Sequence, residues 1–293
     1  MACTLSPATT ESIVTTEIRE DLARRALDED APQGDLTSKL TVPEDARLSS
    51  ELRTGAAGVI AGTAMAAAVF DAAAEQDGAG PVEISWKVED GAHVGAGELL
   101  AVIRGPARAV LRAERVAINL LSHLSGVATL TRAFVDAAGP ARILCTRKTL
   151  PGLRALEREA VVAGGGRLHR ASLSDEVLVK DNHVRAAGGV AEAVRRARTG
   201  GKRVEVEVET LDELEQALAE GADEILLDNA TPELVREAVA RVGDPERLEV
   251  SGGVTLETIG AIVEAGARRI SVGRITHSAP ALDVSLEVAR ADR

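Results

Sequence analysis

Val204-Glu205-Val206-Glu207-Val208-Glu209 alternates valine and glutamate over six positions. Successive strand side chains point to opposite faces, so the valines share one face and the glutamates the other. A face of carboxylates is unfavourable unless water, bases or a bound ligand match it. An edge strand would leave that face to solvent. A barrel strand would turn the valines toward surrounding helices and the glutamates into the lumen. The segments on either side favour the barrel. Strands read over Arg142–Thr149, Glu176–His183, Arg203–Glu209, Glu224–Asn229, Leu248–Gly253 and Arg269–Gly273. Helical segments lie between them near 152–163, 187–198, 211–220, 232–241 and 256–265. Thr231-Pro232 and Thr255 supply start signals, and Gly221 and Gly266 supply stops. Such an alternation implies an α/β fold with a parallel sheet.

Polar residues separate a barrel from an open sheet. Nearly every strand ends in glycine or a functional side chain: Arg147-Lys148, Lys180-Asp181-Asn182, Glu207–Glu209, Asp228-Asn229, Ser251-Gly252-Gly253 and Gly273. An open sheet needs such residues only at its switch point. In a barrel all the strand ends converge on one mouth, where the chemistry sits.

Upstream the pattern differs. Residues 17–30 read as a helix with Ile18, Leu22, Arg25 and Ala26 on one face, followed by a turn at 31–35. Residues 46–53 and 82–89 alternate like strands. The longest uncharged run, Thr54–Phe70, is Ala- and Gly-rich and short for a membrane span, and reads as a buried helix. Val88–Ile103 turns at Asp90-Gly91 and at Gly95-Ala96-Gly97. That outline resembles half of a lipoyl- or biotinyl-type carrier, which needs a lysine at a hairpin tip. Lys87 is not at one, so a small α+β domain is the expectation.

Composition narrows the partners. A formal net charge of −12 repels nucleic acid backbones and anionic lipid. Aromatic residues are only 1%, namely Phe70, Trp86 and Phe134, too few to provide stacking platforms for single strands. Cys3 and Cys145 make neither a disulfide framework nor a metal-type spacing. Early acidic residues (Glu11, Glu17, Glu20, Asp21) oppose a secretory signal, and the expected compartment is the cytoplasm.

Against this acidic background, residues 142–185 hold nine basic residues and five acidic ones. Arginine matches carboxylate and phosphate bidentately, so the cluster suggests a small substrate with several anionic groups. Arg154 and Arg158 fit a solvated helix face, whereas Arg147, Lys148 and Lys180 end apolar strands. Leu248–Gly253 and Ile270–Gly273 are strand-then-glycine turns, whose bare N–H groups suit phosphate. Asp228 and Glu207 are acids among bases, suited either to salt bridges or to Mg²⁺ and ribose hydroxyls.

These blocks together resemble one family. Thr146-Arg147-Lys148-Thr149 leads into Pro151-Gly152-Leu153-Arg154, Gly164-Gly165-Gly166 into His169-Arg170, and Lys180-Asp181-Asn182-His183 follows. Glu205-Val206-Glu207, Leu227-Asp228-Asn229 and Ser251-Gly252-Gly253 come next. Upstream, Gly34–Ser38 and Glu114–Asn119 also match. From about residue 17 to 288 the chain is similar to the quinolinate phosphoribosyltransferases. The resemblance implies an N-terminal α/β sandwich (1–124) contributing to a dimer and to the neighbouring active site. It also implies an incomplete TIM-like α/β barrel (125–293) whose C-terminal helix packs back on the first domain.

The implied reaction joins quinolinate to 5-phosphoribosyl 1-pyrophosphate with Mg²⁺, giving nicotinate mononucleotide, pyrophosphate and CO₂ on the route to NAD. The implied assembly is a homodimer or higher. Arg147, His169, Arg170 and Lys180, with Arg115 from the other chain, would hold the two carboxylates of quinolinate. Lys148, Glu207 and Asp228 would face the ribose, the pyrophosphate and its metal, with Glu207 and Asp228 as metal-holding residues, directly or through water. Ser251, Gly252, Gly253, Val272, Gly273 and Arg274 would take the 5-phosphate. Two alternatives stay open at this point. One is the related subfamily associated with molybdenum transport, which shares the Thr-Arg-Lys-Thr block but not the Lys-Asp-Asn-His block. The other is a Schiff-base aldolase with Lys180 as nucleophile, which would want a desolvated lysine.

Overall fold

The computed structural model describes residues 13–292; Cys3 and Glu11 lie outside them. The N-terminal unit comprises α1 (Thr16–Asp30), α2 (Leu36–Thr41), β1 (Arg47–Thr54), β2 (Gly58–Val59), α3 (Thr63–Gln76), β3 (Glu83–Trp86), β4 (His93–Val94) and β5 (Leu99–Pro106). Thr15 caps α1 by accepting from Ile18 N, and Asp35 caps α2 by accepting from Ser38 N. The buried face of α1 is Ala23 and Leu27, with Leu22 and Ala26 half-covered. Ile18 is 46% exposed and Arg25 pairs with Asp21 at the surface. The inward stripe is thus rotated from the expected one, because α3 packs against Ala23 and Leu27.

The uncharged run Thr54–Phe70 is not one helix. Its first part finishes β1 and makes β2, and α3 begins only at Thr63. Gly62 takes φ 94°, and a Cβ there would meet Leu124 Cδ1 at 2.6 Å, so the chain must turn at glycine before the helix starts.

A 32-residue helix, α4 (Ala107–Ala138), follows. It packs on α3, α5 and β6 and runs unbroken through residues 124 and 125. Beyond it come β6 (Arg142–Leu144), α5 (Arg154–Ala163), β7 (Val177–Val179), α6 (Asp181–Ala187), α7 (Val190–Arg198), β8 (Val204–Val208), α8 (Leu211–Ala219), β9 (Glu224–Asp228), α9 (Pro232–Val242), β10 (Leu248–Ser251), α10 (Ile259–Glu264), β11 (Arg269–Ser271), α11 (Arg274–His277) and β12 (Val284–Asp292).

The strands β6 to β11 form a six-stranded sheet in the order β6-β11-β10-β9-β8-β7, with parallel neighbours throughout. Its ends do not pair with each other. The outer side of β6 instead meets Arg167, through Arg167 N to Ile143 O at 2.7 Å and Cys145 N to Arg167 O at 3.0 Å. The curved sheet is therefore an incomplete barrel. Val204, Val206 and Val208 are at most 2% exposed, on the face opposite Glu205 and Glu207.

Several expected boundaries move. The segment expected as strand over Glu176–His183 stops at Val179, because the Lys180 N–H is caught by His183 Nδ1 at 2.9 Å and starts α6. α10 begins at Ile259, since Thr255 and Thr258 close a turn ahead of it. Glu209 lies past the end of β8, exposed, so the lumen face of that strand carries two glutamates rather than three.

The C-terminal segment is a strand and not a helix. β12 pairs antiparallel with β1 and completes a four-stranded sheet, β12-β1-β5-β3, in the N-terminal unit. Its alternation over Val284-Ser285-Leu286-Glu287-Val288 has the two-residue period of a half-buried strand.

Candidate active site

The C-terminal ends of the parallel strands surround a cavity of about 450 Å³. Arg147, Lys148, His169, Arg170, Lys180, Glu207, Asp228 and Ser251 all line it. Lys148 and Ser251 also border an adjoining cavity of about 270 Å³, together with Gly252, Gly253, Val272, Gly273 and Arg274. Every site residue expected within the barrel therefore lies on one of two connected hollows. Arg115 does not. It is exposed on α4 and lines neither hollow. Asp35 and Ser38, from the upstream block, border a separate cavity of about 370 Å³ with Arg47, Asp77 and Arg108.

The larger hollow has a cationic side. Arg147 and Arg170 both reach it, and Arg147 Nε is buried without a protein partner. Burial, and next the like charge of Arg147, lower the Arg170 pKa from its ordinary value. Guanidiniums packed together raise the local potential and attract an anion bearing more than one charge. Arg158, expected on a solvated helix face, is instead buried beneath this wall. Its Nη1 donates to His169 O at 2.7 Å and locks α5 to the His169 loop. Arg154 likewise turns inward, donating to Thr149 Oγ1 at 3.1 Å. Arg142 and Arg185 pair at the surface with Glu246 and Asp181 and take no part in the pocket.

The opposite side carries Glu207, Asp228 and Lys180. Lys180 Nζ donates to Glu207 Oε2. Burial, and next the Glu207 carboxylate, raise the Asp228 pKa, while Lys180 and Lys148 oppose the shift. Asp228 is held by Asn229, which donates Nδ2–H to Oδ2 at 2.7 Å. Lys180 is 44% exposed at its side chain and ion-paired, which does not suit a desolvated Schiff-base nucleophile.

Glycine is required where the smaller hollow meets this wall. Gly252 has φ 80°, and a Cβ there would lie 2.6 Å from Asp228 Oδ1 and collide with Asn229 Oδ1. A Cβ on Gly273 would lie 2.9 Å from Lys148 Cδ. Backbone therefore approaches both charged side chains directly, as a phosphate cradle needs.

His169 is 9% exposed at its side chain. Its Nε2 lies 3.1 Å from Glu205 Oε2 and 3.5 Å from Glu249 Oε2. Burial alone would lower its pKa, but hydrogen bonds to the two glutamates outweigh this and raise it to about 10. One ring nitrogen is thus committed to glutamate, and only the other remains for a substrate. Glu249 is held below the usual carboxylate range, against its burial, by His169, Ser271 and Arg269. Burial raises Glu205.

Glu249 and Ser271 line the larger hollow, and His277 and Ser278 the smaller one, none of them anticipated. Glu249 could have been found. Leu248-Glu249-Val250 places an acid between apolar residues in a strand, as β8 does. Arg269-Ile270-Ser271 repeats the pattern. His277 ends the short helix α11 and Ser278 follows it, and neither carries such a signal.

Comparisons with known proteins agree with this geometry. The family described as "Quinolinate phosphoribosyl transferase, N-terminal domain" matches residues 35–125, and "Quinolinate phosphoribosyl transferase, C-terminal domain" matches residues 127–287. The chain is 42% identical over 276 residues to the nicotinate-nucleotide pyrophosphorylase [carboxylating] of Mycobacterium leprae, spanning 92% of this chain and 96% of that protein. A probable nicotinate-nucleotide pyrophosphorylase [carboxylating] of Bacillus subtilis is 40% identical, over 89% of this chain and 90% of that protein. The solved nicotinate-nucleotide pyrophosphorylase of Francisella tularensis superposes with a TM-score of 0.86 at 38% identity, covering 95% of this chain and 99% of that one. The fold, the strand-end pocket and these matches together identify the chain as a member of the quinolinate phosphoribosyltransferase family.

Proposed function

We propose that this chain is a decarboxylating quinolinate phosphoribosyltransferase, which transfers phosphoribosyl from 5-phosphoribosyl 1-pyrophosphate to quinolinate in NAD biosynthesis. The observation that carries the reading is the joining of two hollows with different chemistry. One is walled by paired guanidiniums, and the other is a glycine-backbone cradle. A ring dicarboxylate suits the first and a sugar 5-phosphate the second.

On this reading Arg147, Arg170 and His169 hold the substrate carboxylates. Lys180, ion-paired with Glu207, joins them in facing those carboxylates. Lys148 faces the pyrophosphate, and Ser251–Gly253 with Val272–Arg274 receive the 5-phosphate. The ring nitrogen attacks the anomeric carbon as the bond to pyrophosphate breaks, through an oxocarbenium-like state. The ring nitrogen becomes cationic. The electron pair released when the adjacent carboxylate leaves as CO₂ stays on that ring carbon, where the neighbouring cationic nitrogen stabilises it, and a proton then adds to the carbon. The protein contributes positioning and fixed charge.

Glu207 and Asp228 fit Mg²⁺, a hard cation that takes one or two carboxylates and fills its shell with water and phosphate oxygens. Their donor set is all oxygen, and each carboxylate is oriented by a neighbour, Lys180 or Asn229. When bound there, Mg²⁺ would neutralise charge developing on the departing pyrophosphate. We place the protein in the cytoplasm as a homodimer, in which Arg115 of one subunit completes the pocket of the other. The deciding assay is CO₂ release from carboxyl-labelled quinolinate. Release should require both the sugar pyrophosphate and Mg²⁺. Release without the sugar pyrophosphate would overturn the reading.

A further inference from the structure

Below the pocket, the barrel floor holds a line of charges that the reaction as described does not use. Arg203 pairs with Glu224 Oε1, and Arg269 Nη1 lies 2.6 Å from the same oxygen. Arg269 Nη2 then reaches Glu249 Oε2 at 3.1 Å, and Ser271 Oγ donates to Glu249 Oε1 at 2.5 Å. Glu249 and Glu205 both face His169 Nε2. The line therefore runs from Arg203 at the surface to His169 at the pocket, through four strands. It contains three carboxylates and, when His169 is protonated, three cations.

The two glutamates are unequal. Glu249 is fixed by Ser271 and Arg269 whether or not His169 is there. Glu205, 5% exposed, has His169 on Oε2, while its Oε1 is buried without a partner. A carboxylate kept buried with one oxygen unsatisfied contributes poorly to stability, since the unmet oxygen retains its desolvation penalty. Its placement is explained by what it does to the imidazole.

We infer that Glu205 and Glu249 are positioning residues, which seat the His169 ring as an imidazolium and leave its Nδ1–H as a fixed donor for a substrate carboxylate. This rests on the reading above that His169 meets that carboxylate. A doubly protonated ring has two donors, and Nε2 is committed to the glutamates. Other charged groups near the ring do not substitute for the seat. Arg158 donates to the His169 backbone carbonyl, and Arg170 and Arg147 are like charges that would disfavour imidazolium. The Cys145 thiol accepts from the His169 backbone N–H at 3.4 Å. Without the glutamates, the ring would lose both its orientation and its charge.

The test uses the intact enzyme. Glu205→Gln removes the charge and keeps the shape, Glu205→Asp restores the charge, and His169→Ala removes the ring. Quinolinate affinity, measured by titration calorimetry, should fall on the order of tenfold or more in Glu205→Gln. It should recover largely in Glu205→Asp, while KM for the sugar pyrophosphate stays unchanged. Glu205→Gln combined with His169→Ala should bind no worse than His169→Ala alone, as expected if glutamate acts only through the ring. In ¹⁵N-histidine spectra near neutral pH, His169 should carry a proton on both ring nitrogens in the native enzyme and on one in Glu205→Gln. A neutral His169 in the native enzyme, or additive losses in the double variant, would overturn the seat. Should Glu205→Gln not fold, the native spectrum and Glu249→Gln decide the matter in the same way. Undiminished quinolinate binding by His169→Ala would instead overturn the underlying role of His169, with the spectrum still reporting on the seat.

Discussion

Asn229 donates its side-chain amide to Asp228 Oδ2 at 2.7 Å from a left-handed backbone, φ 52°, the one such non-glycine residue among those described. Its own N–H is fixed to Ser251 O at 2.9 Å. The residue after a pocket acid thus holds a conformation that most side chains resist, and uses it to aim that acid. Asn229→Gly keeps the turn and loses the hydrogen bond. It should retain near-native stability and show a raised KM for the sugar pyrophosphate. Asn229→Ala loses the bond and places a Cβ in the left-handed region, where it costs roughly 1–2 kcal/mol. It should lower both thermal stability and sugar pyrophosphate affinity. Equal unfolding temperatures for the two variants would show that the turn carries no strain.

Nicotinic acid should not replace quinolinate. Arg147, Arg170, His169 and Lys180 offer more cationic groups than one carboxylate can satisfy. Loss of the second carboxylate leaves buried donors unmet, which costs several kcal/mol, or roughly a thousandfold in kcat/KM. Steady-state kinetics with the two acids measures this directly, and comparable values would contradict it.

Stability should fall as pH rises from about 6.5 toward about 10. Native His169 keeps its proton up to about 10, because the Glu205 and Glu249 hydrogen bonds outweigh burial. An unfolded histidine releases its proton near 6.5. Between these values the native state binds more protons than the unfolded one, so raising pH favours unfolding. Below the lower value the full contribution is present; above the upper value it is gone. His169→Gln should flatten this part of the denaturation profile. An unchanged slope in that variant would assign the dependence to other groups.

Arg115 is exposed on α4, away from its own pocket, and the proposed dimer brings it to the partner's. Arg115→Ala and Arg147→Ala should each be nearly inactive. Co-refolded in equal amounts, about half the dimers are mixed, and each mixed dimer has one site built wholly of intact residues. Roughly a quarter of native activity should return. No recovery after proven subunit exchange would place the action of Arg115 within its own chain.

The barrel was legible because strands alternate with helices along the chain and end in charged residues or glycine; Val204–Val208 by itself separates a helix face from a lumen face. The strand-end residues were legible for the same reason. Strand lengths were not. Lys180 and Asp181 read as the continuation of an apolar strand, yet a three-residue reach from His183 to the Lys180 N–H turns the chain into α6. Helical spacing puts Arg158 on a face of α5 without saying what covers that face; the His169 carbonyl does. The family resemblance implies a helix at the C-terminal end, whereas the alternation of β12 is that of a strand, and it pairs with β1.

That pairing has a consequence for biosynthesis. Thr54 Oγ1 meets the Asp283 carbonyl across 229 residues of chain, at the start of the β1–β12 ladder. A ribosome therefore releases β1 long before its outer neighbour exists. Until then β1 presents a bare row of peptide groups, a template for strands of other nascent chains. The barrel, made of near-neighbour β/α units, can assemble meanwhile, and closing so long a loop is slow relative to local folding. Docking of β12 is thus a late step in folding of the chain, and shielding β1 during that interval falls to whatever chaperone meets the growing chain.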